Sequence, residues 1–303
     1  MCEFAVKANS LSKKYQKKTA LDGLTFAIQG NGITGLVGRN GSGKTTLLKL
    51  CAGLLDVTKG ELLVFGGKPM DNLSILSKIV YTYHNLEFEK SMRLHDIMQN
   101  YKIMFPNFDL EFAEKLLRYF ELKPQMKYIQ LSQGMASTFN FICGLACRAP
   151  LTMFDEPVLG MDVTVRKAIY EVLLRDYTEN PRTIIVSSHL FSEIERILSD
   201  VILINEGKLL LHESIDDLQQ SAYMLEGEEV ALKRFTEGKN VIWSRSGETG
   251  YSVVIYETFD ERAVQAASEA GFNLSAVRTE DLCVYLTQVN KEVELECLWK
   301  KAN

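Results

Sequence analysis

A glycine-rich run near the N-terminus constrains the fold of this chain more than any other feature. An apolar run typical of a buried strand, residues 32–37, comes before it, and leucines at helical spacing follow it. Strand, glycine-rich loop and helix in this order are typical of a Walker A P-loop, which binds the phosphates of a nucleotide. The loop residues that we predict to contact the nucleotide are Gly38, Asn40, Gly41, Ser42, Gly43, Lys44, Thr45 and Thr46.

The residue types of this loop follow from the charge of a triphosphate. Small residues let the backbone wrap the phosphates closely, with successive N–H groups turned toward them. The positive N-terminal end of the following helix faces the same phosphates. We expect the Lys44 ammonium to reach the β- and γ-phosphates and the Thr45 hydroxyl to bind Mg²⁺. The alternative, an ordinary glycine-rich turn, is disfavoured by the run of matching features, so we predict ATP and Mg²⁺ as cofactors.

The length and composition fit a globular protein with about two domains. The chain has 303 residues, of which 46% are hydrophobic, enough for a sizeable core. The net charge of -5 gives no basic surface of the kind that nucleic acids bind, so we expect no nucleic-acid partner. None of the six cysteines forms a CxxC pair, and we interpret Cys143 and Cys147 as core thiols rather than as a metal site.

The sequence also predicts where the protein resides. The first residues, MCEF, lack a basic segment followed by an apolar one, so we expect no signal peptide. No apolar run approaches the ~20 residues that span a bilayer. We therefore expect a cytoplasmic protein that contacts a membrane only through other proteins.

The apolar runs in the middle of the chain predict an α/β fold. Residues 151–154, 183–186 and 201–204 are near-continuous apolar runs, with helical patterns between the first two pairs of runs. Strands of this kind are typical of a parallel sheet that is buried on both faces. The predicted core is therefore a parallel sheet with helices packed against it.

The rest of the chain adds two subdomains and a tail to this core. Residues 3–9 and 24–28 alternate as in a small antiparallel sheet, and a helical subdomain lies at about 90–150. We predict a nucleotide-binding domain at residues 1–220 and a small α+β domain at residues 221–303. The elements predicted in the small domain are a hairpin, a helix, a strand and a helix start, at residues 241–256, 260–270, 273–277 and 279–282.

Two acidic residues, Asp155 and Glu156, follow the apolar run at residues 151–154. Acidic pairs are common in loops, but downstream of a P-loop this pair matches a Walker B motif. We expect Asp155 to hold Mg²⁺ through its water shell and Glu156 to orient or deprotonate the attacking water.

The order of these motifs resembles the ATP-binding subunits of ABC transporters over residues 3–215. A P-loop, a helical insertion, an LSGGQ-like motif at residues 131–135, a Walker B motif and a histidine after the next strand occur in the family's order. The resemblance implies that Asp162 is the D-loop aspartate and His189 the switch that senses the γ-phosphate. From its position alone, Tyr15 is either a core aromatic or a base-stacking one, and the resemblance places it on adenine.

The LSGGQ-like motif reads LSQGM here. In the family, this motif of one subunit closes onto the nucleotide that another subunit binds. Ser132 and Gly134, which face the phosphate, are present, whereas Gln133 and Met135 replace a glycine and a glutamine. The resemblance therefore implies a second ATP-binding subunit, in a homo- or heterodimer, and membrane-spanning permease subunits that carry the transport path.

Within the family, the chain is most similar to the ATP-binding subunits of Gram-positive ABC-2-type exporters of the YtrB type. The LSQGM motif, the sequence MFDEP at residues 153–157 and the C-terminal extension carry this likeness. It implies ATP hydrolysis that powers substrate export at the inner face of the cell membrane, with Lys44, Glu156 and His189 as catalytic residues. The alternative is an ATP-gated sensor or regulatory module with little turnover.

One departure from the family concerns His84, which follows a predicted strand at residues 79–83. The family has a glutamine there, and it contacts Mg²⁺ and the attacking water. A neutral imidazole offers one acceptor where an amide oxygen has two lone pairs, and nitrogen suits Mg²⁺ less well than oxygen. We predict that His84 serves the metal site and slows hydrolysis. The alternative is that Asn85 or a water molecule takes over the role.

We expect the substitution His84→Gln to raise the rate of ATP hydrolysis and to change its pH dependence, because it restores an amide oxygen at this position. Steady-state turnover of the wild type and the variant across a pH series tests this. An unchanged rate together with an unchanged pH profile would favour Asn85 or water instead.

Overall fold

In the computed structural model, the described residues are 4–83, 86, 88–89, 91–247, 250–258 and 261–287. The chain divides into two units, Met1–His212 and Glu213–Asn303, whereas the sequence analysis placed the boundary after residue 220. Within the described part of the chain, no helix is long and apolar enough to cross a membrane.

Strands and helices alternate through most of the first unit. The strands that lie mainly in this unit are β1 (Phe4–Tyr15), β2 (Lys18–Gln29), β3 (Ile33–Val37), β4 (Lys59–Val64), β5 (Ile79–Tyr83), β6 (Leu151–Asp155), β7 (Thr183–Ser188), β8 (Asp200–Asn205) and β9 (Lys208–Ser214). Its helices, within the described residues, are α1 (Lys44–Cys51), α2 (Leu73–Leu76), α3 (Leu94–Met104), α4 (Leu110–Tyr119), α5 (Gln133–Ala146), α6 (Val163–Glu179) and α7 (Phe191–Ile194).

The central sheet of this unit has the strand order β5-β6-β7-β3-β8-β9, and its neighbours from β5 to β8 are parallel. β3, β6 and β7 are buried along their whole length. Strands buried on both faces read as continuous apolar runs, so the predicted parallel α/β fold is confirmed. Parallel strands bring their carboxyl ends to one edge of a sheet. The residues that follow β3, β6 and β7 therefore lie side by side.

A second sheet of the first unit is antiparallel, with the order β2-β1-β4. β1 and β2 have 12 residues each and extend well beyond the predicted residues 3–9 and 24–28. The register between them shifts between Ala8 and Leu11, and Ser10 has a φ of 47° there. A bulge of this kind interrupts the alternation of buried and exposed side chains. The alternating pattern in the sequence therefore ended before the strand did.

Helices α3, α4 and α5 lie between β5 and β6 in the chain and make up the helical insertion. The C-terminal ten residues of α5, residues 137–146, are all buried. Cys143 and Cys147 lie in or directly after this segment and are buried free thiols, in agreement with their interpretation as core residues. Among the described residues, no cluster of three or more histidine, cysteine or acidic side chains could hold a metal ion by itself.

The second unit is built on a four-stranded antiparallel sheet. Its described elements are α8 (Ile215–Gln219), β10 (Tyr223–Gly227), α9 (Glu229–Phe235), β11 (Val241–Gly247), β12 (Gly250–Ile255), α10 (Glu261–Glu269), β13 (Asn273–Ala276) and α11 (Thr279–Thr287). The strand order β11-β12-β10-β13 is that of the split β-α-β, or ferredoxin-like, arrangement. The core on one face of the sheet contains Tyr223, Leu225, Leu232, Val253, Ile255 and Ala267.

The sequence analysis found the β11–β12 hairpin, α10, β13 and the start of α11, but it did not find β10 or α9. β10 has five residues and α9 has seven. Segments this short show too few periods for a repeat of 2 or 3.6 residues to stand out. The pairing of β10 with both β12 and β13 places it in the middle of the sheet.

Candidate nucleotide-binding site

The glycine-rich loop connects the end of β3, at Val37, to the start of α1, at Lys44. Gly43 has a φ of 114°, which favours glycine, and a Cβ on it would lie 2.8 Å from the carbonyl oxygen of Ala20. The hydroxyl of Ser42 is buried and has no hydrogen-bond partner among the described residues. The loop is therefore a close-fitting backbone cradle that contains a free hydroxyl.

Lys44 is a buried cation, and its residue surface is 5% exposed. Its Nζ donates a hydrogen bond of 2.7 Å to the carbonyl oxygen of Gly38 and lies 3.4 Å from Oε1 of Glu156. The contact with Glu156 is an ion pair rather than a hydrogen bond, since Oε1 accepts none from the described residues. A buried ammonium needs such partners, and the carbonyl oxygen of Gly38 and the carboxylate of Glu156 hold it beside the loop.

Asp155, the last residue of β6, is 4% exposed and has both carboxylate oxygens engaged. Oδ1 accepts a hydrogen bond of 2.6 Å from the Ser187 hydroxyl, and Oδ2 accepts one of 3.0 Å from the Tyr81 hydroxyl. Burial and the neighbouring Asp155 carboxylate raise the pKa of Tyr81, so the phenol remains a donor. The carboxylate is thereby fixed in direction, and its remaining lone pairs suit contact with a metal through water.

Glu156 follows directly and has a strained backbone with a φ of 50°. Its N–H donates to the Ser187 hydroxyl at 2.9 Å. Its Oε2 lies 2.7 Å from Nδ1 of His189, and the two side chains are 16% and 37% exposed. A carboxylate oxygen accepts in such a contact, so Nδ1 of the imidazole is the donor. With Nδ1 as donor, Nε2 is an acceptor in a neutral ring and a second donor in an imidazolium.

Ser187 and Tyr81 are site residues that the sequence analysis missed. In the sequence, Ser187 directly follows the apolar run at residues 183–186, and Tyr81 lies within the predicted strand at residues 79–83. Their role depends on strand register, since Ser187 pairs with Asp155 across β6 and β7, and Tyr81 lies on β5 beside β6. Neighbouring strands are not visible in a single sequence, so no sequence signal identified these two hydroxyls.

The structure brings most of the predicted nucleotide contacts into one cleft. The cleft has a volume of 260 Å³, and its lining includes the loop and the Tyr15 side chain. Tyr15 is 41% exposed, with the Lys13 ammonium 5.4 Å from its ring centroid. Its position fits the base-stacking alternative rather than the core one. The described residues that line the cleft are Tyr15, Lys18, Ala20, Asn40, Gly41, Ser42, Gly43, Lys44, Thr45, Thr46 and Glu156.

Four predicted contacts, Gly38, Ser132, Gly134 and Asp162, are not among the described residues that line this cleft. Gly38 is part of the loop itself, and the other three lie elsewhere in the sequence. Ser132 caps α5, and its hydroxyl accepts from the N–H of Met135 at 3.3 Å. Gly134 lies so close to the chain before α6 that a Cβ would be 2.7 Å from the carbonyl oxygen of Gly160. Gly134, at the start of α5, thus lies beside the segment that leads to Asp162.

Asp162 caps α6 by accepting hydrogen bonds from the two N–H groups of Thr164 and Val165, at 2.9 and 3.0 Å. It therefore has a structural role in its own chain, besides the D-loop role that the resemblance implies. His84, the remaining predicted site residue, lies outside the described residues.

The residues of the cleft fit a nucleoside triphosphate and Mg²⁺. The loop leaves no room for a side chain at Gly43, and a buried hydroxyl without a protein partner, that of Ser42, lies within it. Thr45 is exposed in the cleft, and Asp155, at the end of β6, offers carboxylate oxygens, the ligand type that Mg²⁺ prefers. Loop, lysine and carboxylates at the edge of a parallel sheet define this unit as a P-loop nucleotide-binding domain.

Comparison with known proteins finds similarity to ABC transporter proteins. A family model described as ABC transporter matches residues 21–159. The ABC transporter ATP-binding protein YtrB of Bacillus subtilis (strain 168) is 26% identical over 71% of this chain and 74% of YtrB. YcbN, an uncharacterized ABC transporter ATP-binding protein of the same organism, is 27% identical over 92% of both chains. The bacitracin transport ATP-binding protein BcrA of Enterococcus faecalis is 27% identical over 72% of each chain.

Solved structures show the same fold. An ATP-binding subunit of an ABC transporter has a TM-score of 0.64 and 22% identity, covering 71% of this chain and 92% of that one. The dimeric ATP-binding cassette MJ0796, bound to ADP and Pi after hydrolysis, has a TM-score of 0.61 and 21% identity, covering 69% and 98%. By these likenesses, residues 21–159 lie in an ABC transporter ATP-binding domain, and the chain is similar to the ATP-binding proteins YtrB and YcbN.

Removal of the Ser187 hydroxyl should lower the turnover of ATP. Ser187→Ala deletes one hydrogen bond to the Asp155 carboxylate and another to the backbone of Glu156. A hydrogen bond to a charged group is worth about 1.5–3 kcal/mol, so turnover should fall about ten- to a hundredfold. ATP affinity should change little, because the loop is untouched. Steady-state kinetics and equilibrium nucleotide binding measure the two effects.

The matched control is Tyr81→Phe, which deletes a hydrogen bond to Asp155 but leaves the backbone of Glu156 held. It should lower turnover less than Ser187→Ala does. Equal losses in the two variants would mean that only the orientation of Asp155 matters, and not the strained backbone of Glu156.

Proposed function

We propose that this chain is the ATP-hydrolysing subunit of an ABC exporter, with the ATPase in its first unit and an accessory α+β domain in its second. The meeting of Lys44, Glu156 and His189 in one place is the observation that carries the proposal. A carboxylate held between an ammonium and an imidazole is suited to act on a water molecule beside a phosphate.

Each charged group of the site has a separate role in this proposal. Lys44 binds the β- and γ-phosphates and offsets negative charge as it develops. Glu156 orients or deprotonates the attacking water, and its contact with Nδ1 fixes both the carboxylate and the imidazole. His189 senses the γ-phosphate; an imidazolium, with an N–H on both ring nitrogens, can donate to Glu156 and to a phosphate oxygen at once. Tyr15 stacks on the adenine at the outer end of the cleft.

Thr45 and Asp155 are the residues that would hold Mg²⁺, Thr45 through its hydroxyl and Asp155 through water. The ion would neutralise charge on the phosphate oxygens. The hydrogen bonds from Ser187 and Tyr81 keep Asp155 in one orientation, which supports an indirect contact rather than a direct one. His84 is proposed as a further metal-site residue from its place in the sequence.

A second ATP-binding subunit completes the site, either another copy of this chain or a sister chain. Ser132, Gly134 and Asp162 act on the nucleotide of that partner. One observation supports this arrangement: these residues do not line the cleft of their own chain within its described part. The dimeric cassette has the same fold, which supports pairing without determining the partner.

Permease subunits carry the transport path, and this chain docks on them at the inner face of the cell membrane. α3 and the loop before it are the proposed contact. Ile103 and Met104, at the C-terminal end of α3, are 83% and 64% exposed, which supports a surface that a protein partner covers. The likeness to BcrA, which is named for bacitracin transport, supports a transport role, and the motif resemblance supports export.

The second candidate function is an ATP-gated regulatory module with little turnover. His84 is the one feature that favours it. The contacts of Glu156 with Lys44 and His189 disfavour it, because a module that only binds ATP does not need a positioned carboxylate. A measurement of turnover separates the two functions.

We expect Glu156→Gln to abolish ATP hydrolysis while ATP still binds. The amide keeps the shape of the side chain but cannot take a proton, and general-base catalysis contributes about 10²–10⁴-fold. The variant should also accumulate as a dimer in the presence of ATP, because the closed state is no longer resolved by hydrolysis. Phosphate release and light scattering on the purified full-length chain measure both effects.

The control is Glu179→Gln, which changes an exposed glutamate at the end of α6 and should leave turnover at the wild-type level. Absence of turnover in the wild type would contradict hydrolysis by this chain alone and favour the regulatory module. Persistent turnover in Glu156→Gln would contradict the role given to this carboxylate.

A further inference from the structure

An ion pair joins the two segments that carry Asp162 and His189. Arg166 lies one turn into α6, and its N–H donates to the carbonyl oxygen of Asp162 at 3.0 Å. Glu193 lies in α7, which begins two residues after His189. Nη2 of Arg166 is 3.2 Å from Oε1 of Glu193, and the side chains are only 23% and 26% exposed. The pair is thus partly shielded from solvent, where ion pairs are worth more than at the surface.

The pair makes only one of the two contacts that its groups allow. A guanidinium and a carboxylate can form two parallel hydrogen bonds, which fix both distance and direction. Here the Nε of Arg166 and the Oε2 of Glu193, the atoms of the second arm, are buried, and neither has a hydrogen-bond partner in the described part of the chain. Buried polar atoms without partners are costly, so the second contact is favoured wherever a small shift of α7 permits it.

α7 determines where the His189 segment lies. The helix has four residues, too few to be stable alone. The buried side chains of Phe191 and Ile194 anchor it to the core. Its N-terminal side is continuous with a tight turn in which the N–H of Leu190 donates to the Ser188 hydroxyl at 2.9 Å. A shift of α7 toward α6 therefore moves this turn, and with it His189.

Tyr170, on α6 one turn beyond Arg166, lies beneath the same contact. It is 5% exposed, and its hydroxyl has no partner that meets hydrogen-bond geometry among the described residues. Burial raises the pKa of Tyr170, and the carboxylates of Glu193 and Glu156 raise it further. The phenol is thus within electrostatic reach of the ion pair and of the catalytic carboxylate. Arg166, Tyr170 and Glu193 are all among the described residues that line one cavity between α6 and the α7 segment.

We propose that Arg166 and Glu193 are positioning residues for ATP hydrolysis, which act by fixing His189 relative to the start of α6 at Asp162. Formation of the second arm moves the His189 turn toward the helix that Asp162 caps. The pair thereby transmits to His189 any movement of Asp162 that a second subunit causes. This inference rests on the proposed roles of Glu156 and His189 in hydrolysis.

The test compares kcat and the KM for ATP in Arg166→Ala, Glu193→Ala and the double variant. Each single variant should lower kcat about tenfold with little change in KM, since the pair acts on the hydrolytic step and not on binding. The double variant should lose no more than either single one, because both remove the same contact. Additive losses, or a rise in KM at constant kcat, would overturn the proposal.

Arg166→Lys tests the second arm. Lysine keeps the charge and one contact but cannot form the fork, so kcat should fall nearly as far as in Arg166→Ala. Wild-type kcat in Arg166→Lys would show that a simple ion pair suffices and would overturn the role proposed for the second hydrogen bond. The matched control is Arg175→Ala, which breaks an exposed pair with Glu171 on the same helix and should leave kcat unchanged.

A spectroscopic readout separates positioning from a loss of stability. In histidine-labelled protein, the ring signals of His189, assigned with His189→Gln, should move in Arg166→Ala and Glu193→Ala but not in Arg175→Ala. Unmoved signals in folded variants would overturn the proposal whether or not the chain turns over ATP. If Glu156→Gln abolishes ATP turnover while Arg166→Ala leaves turnover at the wild-type level, the proposal for Arg166 and Glu193 fails and the proposed function stands. Turnover that survives Glu156→Gln would instead contradict the proposed function.

Discussion

The carboxylate of Glu156 is the contact on which the site depends. It lies between the buried ammonium of Lys44 and the imidazole of His189. The carboxylate compensates the charge of Lys44, and it makes Nδ1 of His189 the donor of their hydrogen bond. Its own backbone is in a strained conformation that the Ser187 hydroxyl supports. These groups come from three different parts of the chain. Only the parallel order of β3, β6 and β7 places them at one edge of the sheet.

The parts of the fold that the sequence predicted are those with local signals. The glycine-rich loop, the buried parallel strands and the two carboxylates after β6 each follow from a short stretch of residues, and the structure has all of them. Tyr15 could not be assigned from its neighbours alone. It lies in the cleft because β1 extends to residue 15, beyond the bulge that hid the end of the strand from the alternating pattern.

The parts that the sequence did not predict depend on pairing between distant segments. Ser187 and Tyr81 support Asp155 across strand neighbours, and the contact of Arg166 with Glu193 joins α6 to the short helix α7 that follows another strand. Residue type does not predict such contacts, because serine, tyrosine and arginine are common in strands and helices. The short elements β10 and α9 were missed for a related reason, since packing rather than periodicity specifies them.

Mixing two defective variants tests most directly whether the site is completed by a second copy. Lys44→Ala removes the phosphate-binding cation, whereas Ser132→Asp keeps a cap on α5 but adds a negative charge where a phosphate would approach. Each variant alone should be inactive. A mixed dimer contains one site with neither lesion, so the account predicts turnover in the mixture well above the mean of the two separate variants. A mixture no more active than that mean would contradict completion of the site between copies of this chain.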